Sequence, residues 1–514
     1  MILSSHVMSD KLADIVKTLY IEYQDNPVIF QKFIDCIEQL PEVLKSTNDT
    51  IINRENRKNK LVSESEKFIN KFLYTHKFFY HVSSELFFQY RDNKFYLIKE
   101  DDVQHTILTN ISANKLLMDW KHKLKIKILK QIKETDIFSC IPESETIQCV
   151  INKLCPVVFD NREKSKYFLT VLGDILLKKC SLVYFINPKA KQWLKELSHL
   201  ACMLFGTQTL TNIFKFKYYD HTFTDCRILD IQESINIDNW INEFKQGNGL
   251  DLFCVAAYYS TRYGSGDIFL QEHCKDEQLK TYALYLKDNT ESNIIDYFCE
   301  KNIETSDDCS VSWKDMQYLW KHYVDSEKLP NVFFTSTLKT LLMNKFTYNT
   351  EKDVFSDCTS KLLPKVSKFL NFWNDKIVTD ENSSEELEID ELCSLFAYQY
   401  KSNISEKNML DLIKHYYPDT FIENDKYLLN TSCLTWNKKQ DIINSLKKYK
   451  TNASHIEIYS NEIPINELYQ FYSGAKHRFT TSKRYFENFI KEESQLFIVE
   501  DNFIKVNSFE NLHA

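Results

Sequence analysis

The sequence predicts a mainly α-helical fold with small β-hairpins, an α+β class, divided into several domains. Apolar side chains recur at three- and four-residue spacing through most of the 514 residues, which indicates helices that each bury one face. Short apolar runs joined by turn residues indicate a few hairpins. Polar stretches separate these elements, so we expect a multi-domain helical scaffold.

Residues 114–206 contain the strongest helical pattern. Three helices are predicted by their apolar faces, which are Ile147, Val150, Ile151 and Leu154, then Phe168, Val171, Leu172, Ile175 and Leu176, then Trp193, Leu194, Leu197, Leu200, Ala201 and Leu204. Asn161 is a suitable N-cap for the second helix, and Gly206 suits the left-handed position that ends the third. A packed helical core is therefore expected here.

A lysine-rich segment precedes these helices. Residues 120–133 contain six lysines and no acidic side chain. A helix would place Leu124 and Ile128 on one face, whereas a strand would alternate them with lysines; the pattern is too long for a typical strand, so we favour the helix. The candidate nucleic-acid-binding residues on its flank are Lys121, Lys123, Lys127 and Lys130. Such a flank either contacts phosphates or is simply solvated.

The N-terminal part is predicted to be helical with one hairpin. Its elements are expected as helix in residues 1–45, a loop or linker in 48–60, a helix near 64–80, and strands at 86–90 and 95–98. Asp92-Asn93 supplies the turn chemistry between the two strands. Asp101-Asp102 then begins another helix, because acidic side chains favour a helix N-terminus.

The middle of the chain gives a mixed prediction. We expect strands at residues 215–219, 227–231 and 282–286, a helix or buried strand at 252–263, a helix near 294–300, and a polar boundary at 303–310. Ser312 and Asp315 then form a capping-box pattern that opens an aromatic helix.

The C-terminal part repeats one order of elements. The first copy has helices at 386–400 and 406–417, a turn at 402–405, and a hairpin of 420–422 and 427–429. The second copy has helices at 465–472 and 482–491 and a hairpin of 496–499 and 503–506. Helix, tight turn, helix and hairpin is the order of a winged helix, so two winged-helix-like units are expected.

The two units differ in charge. The second carries candidate phosphate contacts near its predicted recognition helix, namely Lys476, Arg478, Lys483 and Arg484. The first begins with an acidic helix, Glu385, Glu386, Glu388, Asp390 and Glu391. Acidic side chains fit protein contacts better than nucleic-acid contacts.

These features divide the chain into six predicted segments. They are an N-terminal helical segment and linker (1–60), a helical domain with one hairpin (61–210), a mixed α/β segment (211–305), an aromatic-rich helical segment (306–380), a winged-helix-like unit (381–450) and a second such unit (451–514).

Composition and missing motifs exclude several classes of protein. The net charge of −8 argues against coating nucleic acid over the whole surface, and the fourteen cysteines include no Cys-x-x-Cys pair that would suggest structural zinc. No signal peptide or uncharged apolar run of membrane-spanning length is present, so we expect an intracellular protein in a reducing compartment with no membrane partner. Lysine greatly outnumbers arginine, which is typical of an AT-rich genome and weakens any argument from lysine clusters alone.

No catalytic motif is found. The chain lacks the phosphate-binding Gly-x-x-x-x-Gly-Lys pattern, the Gly-x-Ser-x-Gly elbow, the His-Glu-x-x-His helix and Asp-x-Asp pairs. We therefore predict no catalytic residue, no metal and no cofactor, and a protein that is not an enzyme. One alternative is a metal-dependent enzyme with a dispersed site around Asp220, His221, Asp225 and Arg227.

Three phrases carry a resemblance to proteins of nucleocytoplasmic large DNA viruses of the mimivirus kind. They are Ile141-Pro-Glu-Ser-Glu-Thr-Ile-Gln148, Lys166-Tyr-Phe-Leu-Thr-Val-Leu-Gly-Asp174 and Ser482-Lys-Arg-Tyr-Phe-Glu487. Residues 86–108 also resemble the linker region before the ATPase of viral primase-helicases, but the ATPase and primase motifs are missing. The resemblance implies a viral protein and carries over no catalytic residue.

Together these observations predict a non-enzymatic viral scaffold or adaptor. Its expected partners are viral or host proteins of a nucleic-acid machine, such as helicase, cap-binding or replication factors, together with RNA or DNA. The expected setting is RNA handling, translation initiation or DNA replication in the viral factory of the host cytoplasm. A virion structural protein is a further alternative.

Overall fold

The computed structural model describes residues 5–179, 181–207, 210–218, 221–232, 249–381, 383–453, 462–475, 477–493, 497, 499–500 and 502–505. The chain is mainly helical with small sheets, an α+β protein, and divides into two compact units, Met1–Asp288 and Asn289–Ala514. None of the helices in the described ranges has an apolar stretch that would cross a lipid bilayer.

The N-terminal unit begins with helices and an antiparallel sheet. The elements are α1 (Ser5–Tyr23), α2 (Pro27–His76), β1 (Phe78–His81), β2 (Leu86–Arg91), β3 (Lys94–Ile98), α3 (Glu100–Ser112) and α4 (Lys121–Lys133). β1, β2 and β3 form a meander in that order. The predicted hairpin is confirmed: Asp92 and Asn93 both have positive φ, 51° and 60°, as the favoured two-residue hairpin turn requires.

The rest of this unit surrounds a helical core. Its elements are α5 (Ser144–Leu154), α6 (Arg162–Leu176), β4 (Val183–Ile186), α7 (Lys191–Phe205), α8 (Leu210–Ile213), β5 (Phe214–Lys215), β6 (Cys226–Leu229), α9 (Gly249–Tyr263), α10 (Gly266–Ile268), α11 (Glu277–Ala283) and α12 (Tyr285–Asp288). β5, β4 and β6 form a small parallel sheet in that order. Asn161 caps α6 and Gly206 ends α7 at φ 67°, as the sequence predicts.

Helices α6 and α9 pack closely against each other in this core. A Cβ built on Gly173 would lie 2.0 Å from the carbonyl oxygen of Ala256, so only glycine fits there. The next residue, Asp174, is buried and accepts hydrogen bonds from the Ser260 hydroxyl (2.6 Å) and the Gly266 backbone N–H (2.7 Å). The Gly-Asp pair therefore joins α6 to α9 and to the turn that follows it.

A second buried carboxyl anchors the hairpin to α9. Asp251, only 3% exposed, accepts a hydrogen bond from the backbone N–H of Phe95 at 2.8 Å. Burial raises the pKa of Asp251 to about 6, and the Phe95 N–H only partly opposes that shift.

Stability of the N-terminal unit is therefore expected to depend on pH through Asp251. The carboxyl holds its proton to higher pH in the folded than in the unfolded state. The protonated Asp251 therefore adds its full share to the free energy of unfolding below about pH 4, and that share is lost as pH rises through about 6. Asp251→Asn should raise the free energy of unfolding at pH 7.5 by about 2–3 kcal/mol and have little effect near pH 4. Urea unfolding between pH 4 and 8 measures this difference. The exposed Asp119→Asn is the control, and equal pH profiles for the wild type and Asp251→Asn would contradict the assignment.

The C-terminal unit contains one topology three times. Repeat A (residues 291–359) consists of α13 (Glu291–Asn302), β7 (Glu304–Ser312), α14 (Trp313–Ser326), α15 (Thr335–Met343), β8 (Tyr348–Asn349) and β9 (Val354–Thr359). Repeat B (363–429) consists of α16 (Leu363–Lys376), β11 (Glu386–Glu388), α17 (Ile389–Tyr400), α18 (Glu406–Tyr416), β12 (Ile422–Glu423) and β13 (Tyr427–Leu429), with an added pair of β10 (Ile377–Thr379) and β14 (Thr431–Cys433). Repeat C (438–505) consists of α19 (Lys438–Ala453), β15 (Glu462–Pro464), α20 (Ile465–Gly474), α21 (Lys483–Glu492), β16 (Val499–Glu500) and β17 (Phe503–Lys505).

The strand order is the same in all three repeats. Each repeat runs helix, strand, helix, helix, strand, strand, and its last strand lies antiparallel between the first and the second. The sequence pattern predicts the helix pair and hairpin of repeats B and C but misses the first strand of each. In repeat A it predicts α13 and α14 but not the three strands or the repeated topology. Ser312 caps α14 as predicted, accepting from the Asp315 N–H at 3.1 Å.

Several predicted elements are wrong. Residues 48–60, expected as a loop, are a continuous part of α2, and residues 303–310, expected as a boundary, lie largely in β7. Residues 282–286, expected as a strand, lie in α11, in α12 and at Leu284 between them. Residues 386–400, expected as one helix, are β11 followed by α17. Of the strand expected at 215–219, only Lys215 lies in a strand, β5, within the described residues, and Tyr219 lies outside them. Leu496, Ile498 and Val506 of the predicted second hairpin lie outside the described residues.

Candidate functional site

The lysine-rich segment forms α4, with its lysines pointing away from a small core. Leu124, Ile128 and Ile132 are buried against α2 and α3. Lys123, Lys127 and Lys130 are exposed, and Lys121 is half-buried with its Nζ 2.8 Å from the Ser112 hydroxyl. The helical alternative is therefore confirmed, and the apolar face determines which lysines reach solvent.

The exposed lysines of α4 are only weakly engaged within the chain. Lys123 Nζ lies 4.8 Å from the centre of the Trp120 ring, and Lys130 lies 3.9 Å from Glu134. Within the described part of the chain, Lys127 has no ion-pair partner. Lys123, Lys127 and Lys130 form the lysine row of α4, and their charges are available to an anionic ligand.

The predicted basic residues of repeat C are placed differently. Lys476 lies outside the described residues. The Arg478 guanidinium stacks over the Tyr398 ring at 4.5 Å, and Arg484 binds Glu386 at 3.3 Å and also Glu423. Lys483 is 3.6 Å from Glu487 on the next turn. The two arginines are thus occupied by contacts with repeat B, and a nucleic-acid role for this set is still only a prediction.

A buried carboxylate at the B–C joint was not predicted from the sequence. Glu391 accepts hydrogen bonds from the backbone N–H groups of Glu388 (2.9 Å) and Ser482 (2.6 Å), and its third donor is the Lys438 ammonium. Lys438 also donates to the Glu386 carbonyl oxygen at 2.8 Å. Burial raises the pKa of Glu391, and the Lys438 charge opposes that shift.

The A–B joint is also made by polar contacts, and these are only partly buried. The Tyr416 hydroxyl donates to Asp315 at 2.7 Å, and Lys314 Nζ donates to the Tyr416 carbonyl oxygen at 3.0 Å. His415 Nε2 lies 2.8 Å from the Lys314 carbonyl oxygen, and burial lowers the pKa of this imidazole. Both joints therefore have specific geometry rather than loose apolar contact.

The alternative dispersed metal site finds no support in the geometry. Asp220 lies outside the described residues. Arg227 is 2% exposed and binds Asp267 through two parallel contacts of 2.8 and 2.6 Å, which is a structural use of its guanidinium. Among the residues the structure describes, no group of three or more His, Cys, Asp or Glu side chains is placed to hold a metal ion.

Comparison of the chain with protein-family models, with curated protein sequences and with solved structures gives no match.

Proposed function

We propose that this chain is an adaptor that holds proteins of a viral nucleic-acid machine together through an array of three winged-helix units. The observation that carries the proposal is the threefold topology of residues 291–505, in which helix, strand, two helices and two strands recur with the last strand central. That order and strand arrangement are those of a winged helix. A fold of this kind hosts many functions, so the partner class has to be argued from the exposed side chains.

The charges of the array favour protein partners. The last helix of each repeat lies at the position of a recognition helix in a winged helix. One basic side chain of each of these helices forms an ion pair within the chain: Lys339 with Asp353 (2.9 Å), Lys414 with Asp425 (2.6 Å) and Arg484 with Glu386 (3.3 Å). These carboxylates reduce the net positive charge that each helix presents, so the array attracts a phosphate backbone less strongly than unpaired lysines and arginines would.

The lysine row of α4 supports a nucleic-acid contact in the N-terminal unit. Its exposed ammonium groups at i and i+4 spacing lie on one helix face, where successive phosphates of a strand are reached without disturbing the core. The resemblance to giant-virus proteins supports infected cells as the setting. In this proposal RNA or DNA is bound by α4 while helicase, cap-binding or replication proteins are bound by the array.

The lysine row is tested by charge reversal. Lys123→Glu with Lys127→Glu should weaken binding of the full-length protein to fluorescent 20-nucleotide RNA or DNA by roughly ten- to a hundredfold at 50 mM salt, because two phosphate contacts are lost. Each lost contact should also reduce the slope of log affinity against log salt concentration by about one. The matched control is Lys191→Glu with Lys195→Glu, an exposed i, i+4 lysine pair on α7 of the same unit. Fluorescence anisotropy over a salt series measures the difference.

The wild type, the Lys123/Lys127 variant and the α7 control also test the adaptor function, each as bait in extracts of infected cells with and without nuclease. Helicase, cap-binding or replication proteins should remain bound to all three after nuclease treatment, and nucleic acid should be depleted only from the Lys123/Lys127 variant. Equal loss of nucleic acid in the α7 control would assign the effect to overall charge. Recovery of capsid proteins alone would overturn the adaptor proposal.

A further inference from the structure

The first two helices carry a large share of the exposed apolar surface. Among the large apolar side chains exposed in the described residues, 15 of 33 belong to α1 and α2. They are Leu12, Ile15, Val16, Tyr20, Ile21, Val28, Ile29, Ile37, Leu40, Val43, Leu44, Ile51, Ile52, Val62 and Tyr74. Single exposed apolar residues are ordinary, but a concentration of this kind marks a surface that is covered by a partner.

Most of α2 extends beyond the packed part of its unit. Only Ser65, Ile69 and Phe72, near its C-terminal end, are buried, while every residue from 35 to 60 is exposed. This exposed stretch is about 39 Å long at 1.5 Å per residue. α1 contacts α2 near the turn between them, where the Tyr20 and Phe30 rings lie 5.4 Å apart. An unpacked helix of this composition is marginal in water, so α2 requires a neighbour.

The spacing of the apolar residues indicates that this neighbour is a helix. Phe30, Ile37, Leu44 and Ile51 recur every seven residues. Phe33 and Leu40 follow three positions after the first two of these, which completes the a/d pattern of a coiled coil. Thr47 takes the next such position, and Arg54 and Lys58 follow Ile51 in the same two rows. The apolar part of the seam therefore ends near the middle of the exposed stretch.

The charges of α2 indicate which helix covers it. Residues 31–42 contain Asp35, Glu38 and Glu42 against one lysine, whereas residues 53–60 contain four basic side chains against one glutamate. Two parallel copies would place acidic beside acidic and basic beside basic. Two antiparallel copies that cross near residues 47–49 would place each acidic segment beside the basic segment of the other. We propose that α2 forms an antiparallel coiled coil with α2 of a second copy of this chain.

The oligomeric state of the full-length protein tests this proposal. Sedimentation velocity should give twice the 61.1 kDa chain mass at micromolar concentration. Leu44→Lys places a charge in the seam beside Arg54 of the second copy and should weaken dimerisation by roughly a hundredfold or more. Val28→Lys, at an apolar and exposed position on the opposite side of the heptad, should leave dimerisation unchanged. Both positions are exposed, so neither change disturbs the folded core. A monomeric wild type, or equal effects of the two variants, would overturn the proposal.

Charge exchange tests the antiparallel orientation separately. Glu38→Lys with Glu42→Lys should weaken the dimer roughly tenfold, since the new lysines meet the basic segment of the partner copy. Adding Arg57→Glu and Lys60→Glu to the same chain should restore it. In a parallel coiled coil, residues 38 and 42 of the two copies would face each other, so the exchange would replace a pair of acidic segments by a pair of basic ones and leave the dimer affinity unchanged. That result would reject the antiparallel arrangement. The proposal is independent of the adaptor function, because none of these variants alters α4 or residues 291–505.

Discussion

Gly173→Ala is expected to destabilise the N-terminal unit by at least about 3 kcal/mol, more than most single substitutions. The added Cβ would lie 2.0 Å from the Ala256 carbonyl oxygen, 2.6 Å from its carbonyl carbon and 2.7 Å from the Ser260 Cβ. Two of these atoms are backbone of α9, so the clash is relieved only by separating two packed helices. Separation would also break the Asp174 hydrogen bonds to Ser260 and Gly266. Thermal unfolding and the yield of folded protein measure the effect.

Gly474→Ala is the matched control for this substitution. Gly474 is also helical, at the end of α20, and a Cβ there meets nothing within 4 Å. Alanine should therefore be neutral or stabilise by up to about 1 kcal/mol. If Gly173→Ala unfolded at the same temperature as Gly474→Ala, the close approach of α6 and α9 would be incorrect.

Lys438→Met is expected to destabilise the C-terminal unit by about 3–5 kcal/mol. The Lys438 and Glu391 side chains are 4% and 2% exposed, so removal of the ammonium leaves a carboxylate buried without its cation. The loss should also loosen the joint between repeats B and C, because Glu391 accepts from Ser482 of repeat C. Urea unfolding and amide hydrogen exchange at Ser482 measure the two consequences.

Two further variants isolate the buried ion pair. Lys439→Met removes the neighbouring lysine, which is 43% exposed and lies 3.2 Å from Glu385, and should cost no more than about 1 kcal/mol. Glu391→Gln combined with Lys438→Met removes both charges and should recover part of the stability lost in Lys438→Met. Equal costs for Lys438→Met and Lys439→Met would contradict the role of the buried pair.

Local sequence patterns were sufficient for elements whose stabilising contacts are close along the chain. The turn at Asp92-Asn93, the Asn161 cap, the Gly206 helix end and the Ser312 cap are all where the sequence predicts them. Each depends on one or two residues with a strong backbone or hydrogen-bonding preference.

Elements stabilised by distant partners were predicted poorly. β7 is polar and resembles a linker, but it is extended because it pairs with β9, about fifty residues later. Residues 48–60 are mostly polar for a related reason: they are helical yet exposed, and Ile51 and Ile52 are too few to show a helical apolar pattern within this stretch. Composition alone does not separate a solvated helix from a loop.

The sequence by itself determined the helical class, the hairpin turn and which residues carry positive charge. Only the tertiary structure decided which of those charges are available. Arg478 and Arg484 are held by repeat B, whereas Lys127 on α4 remains exposed with its apolar neighbours Leu124 and Ile128 buried beneath it. It also decided that Gly173 lies against a helix and that Glu391 and Lys438 meet in the interior. The physical reason is that ion pairing and close packing join residues far apart in the chain, whereas helix caps and turns depend on neighbours.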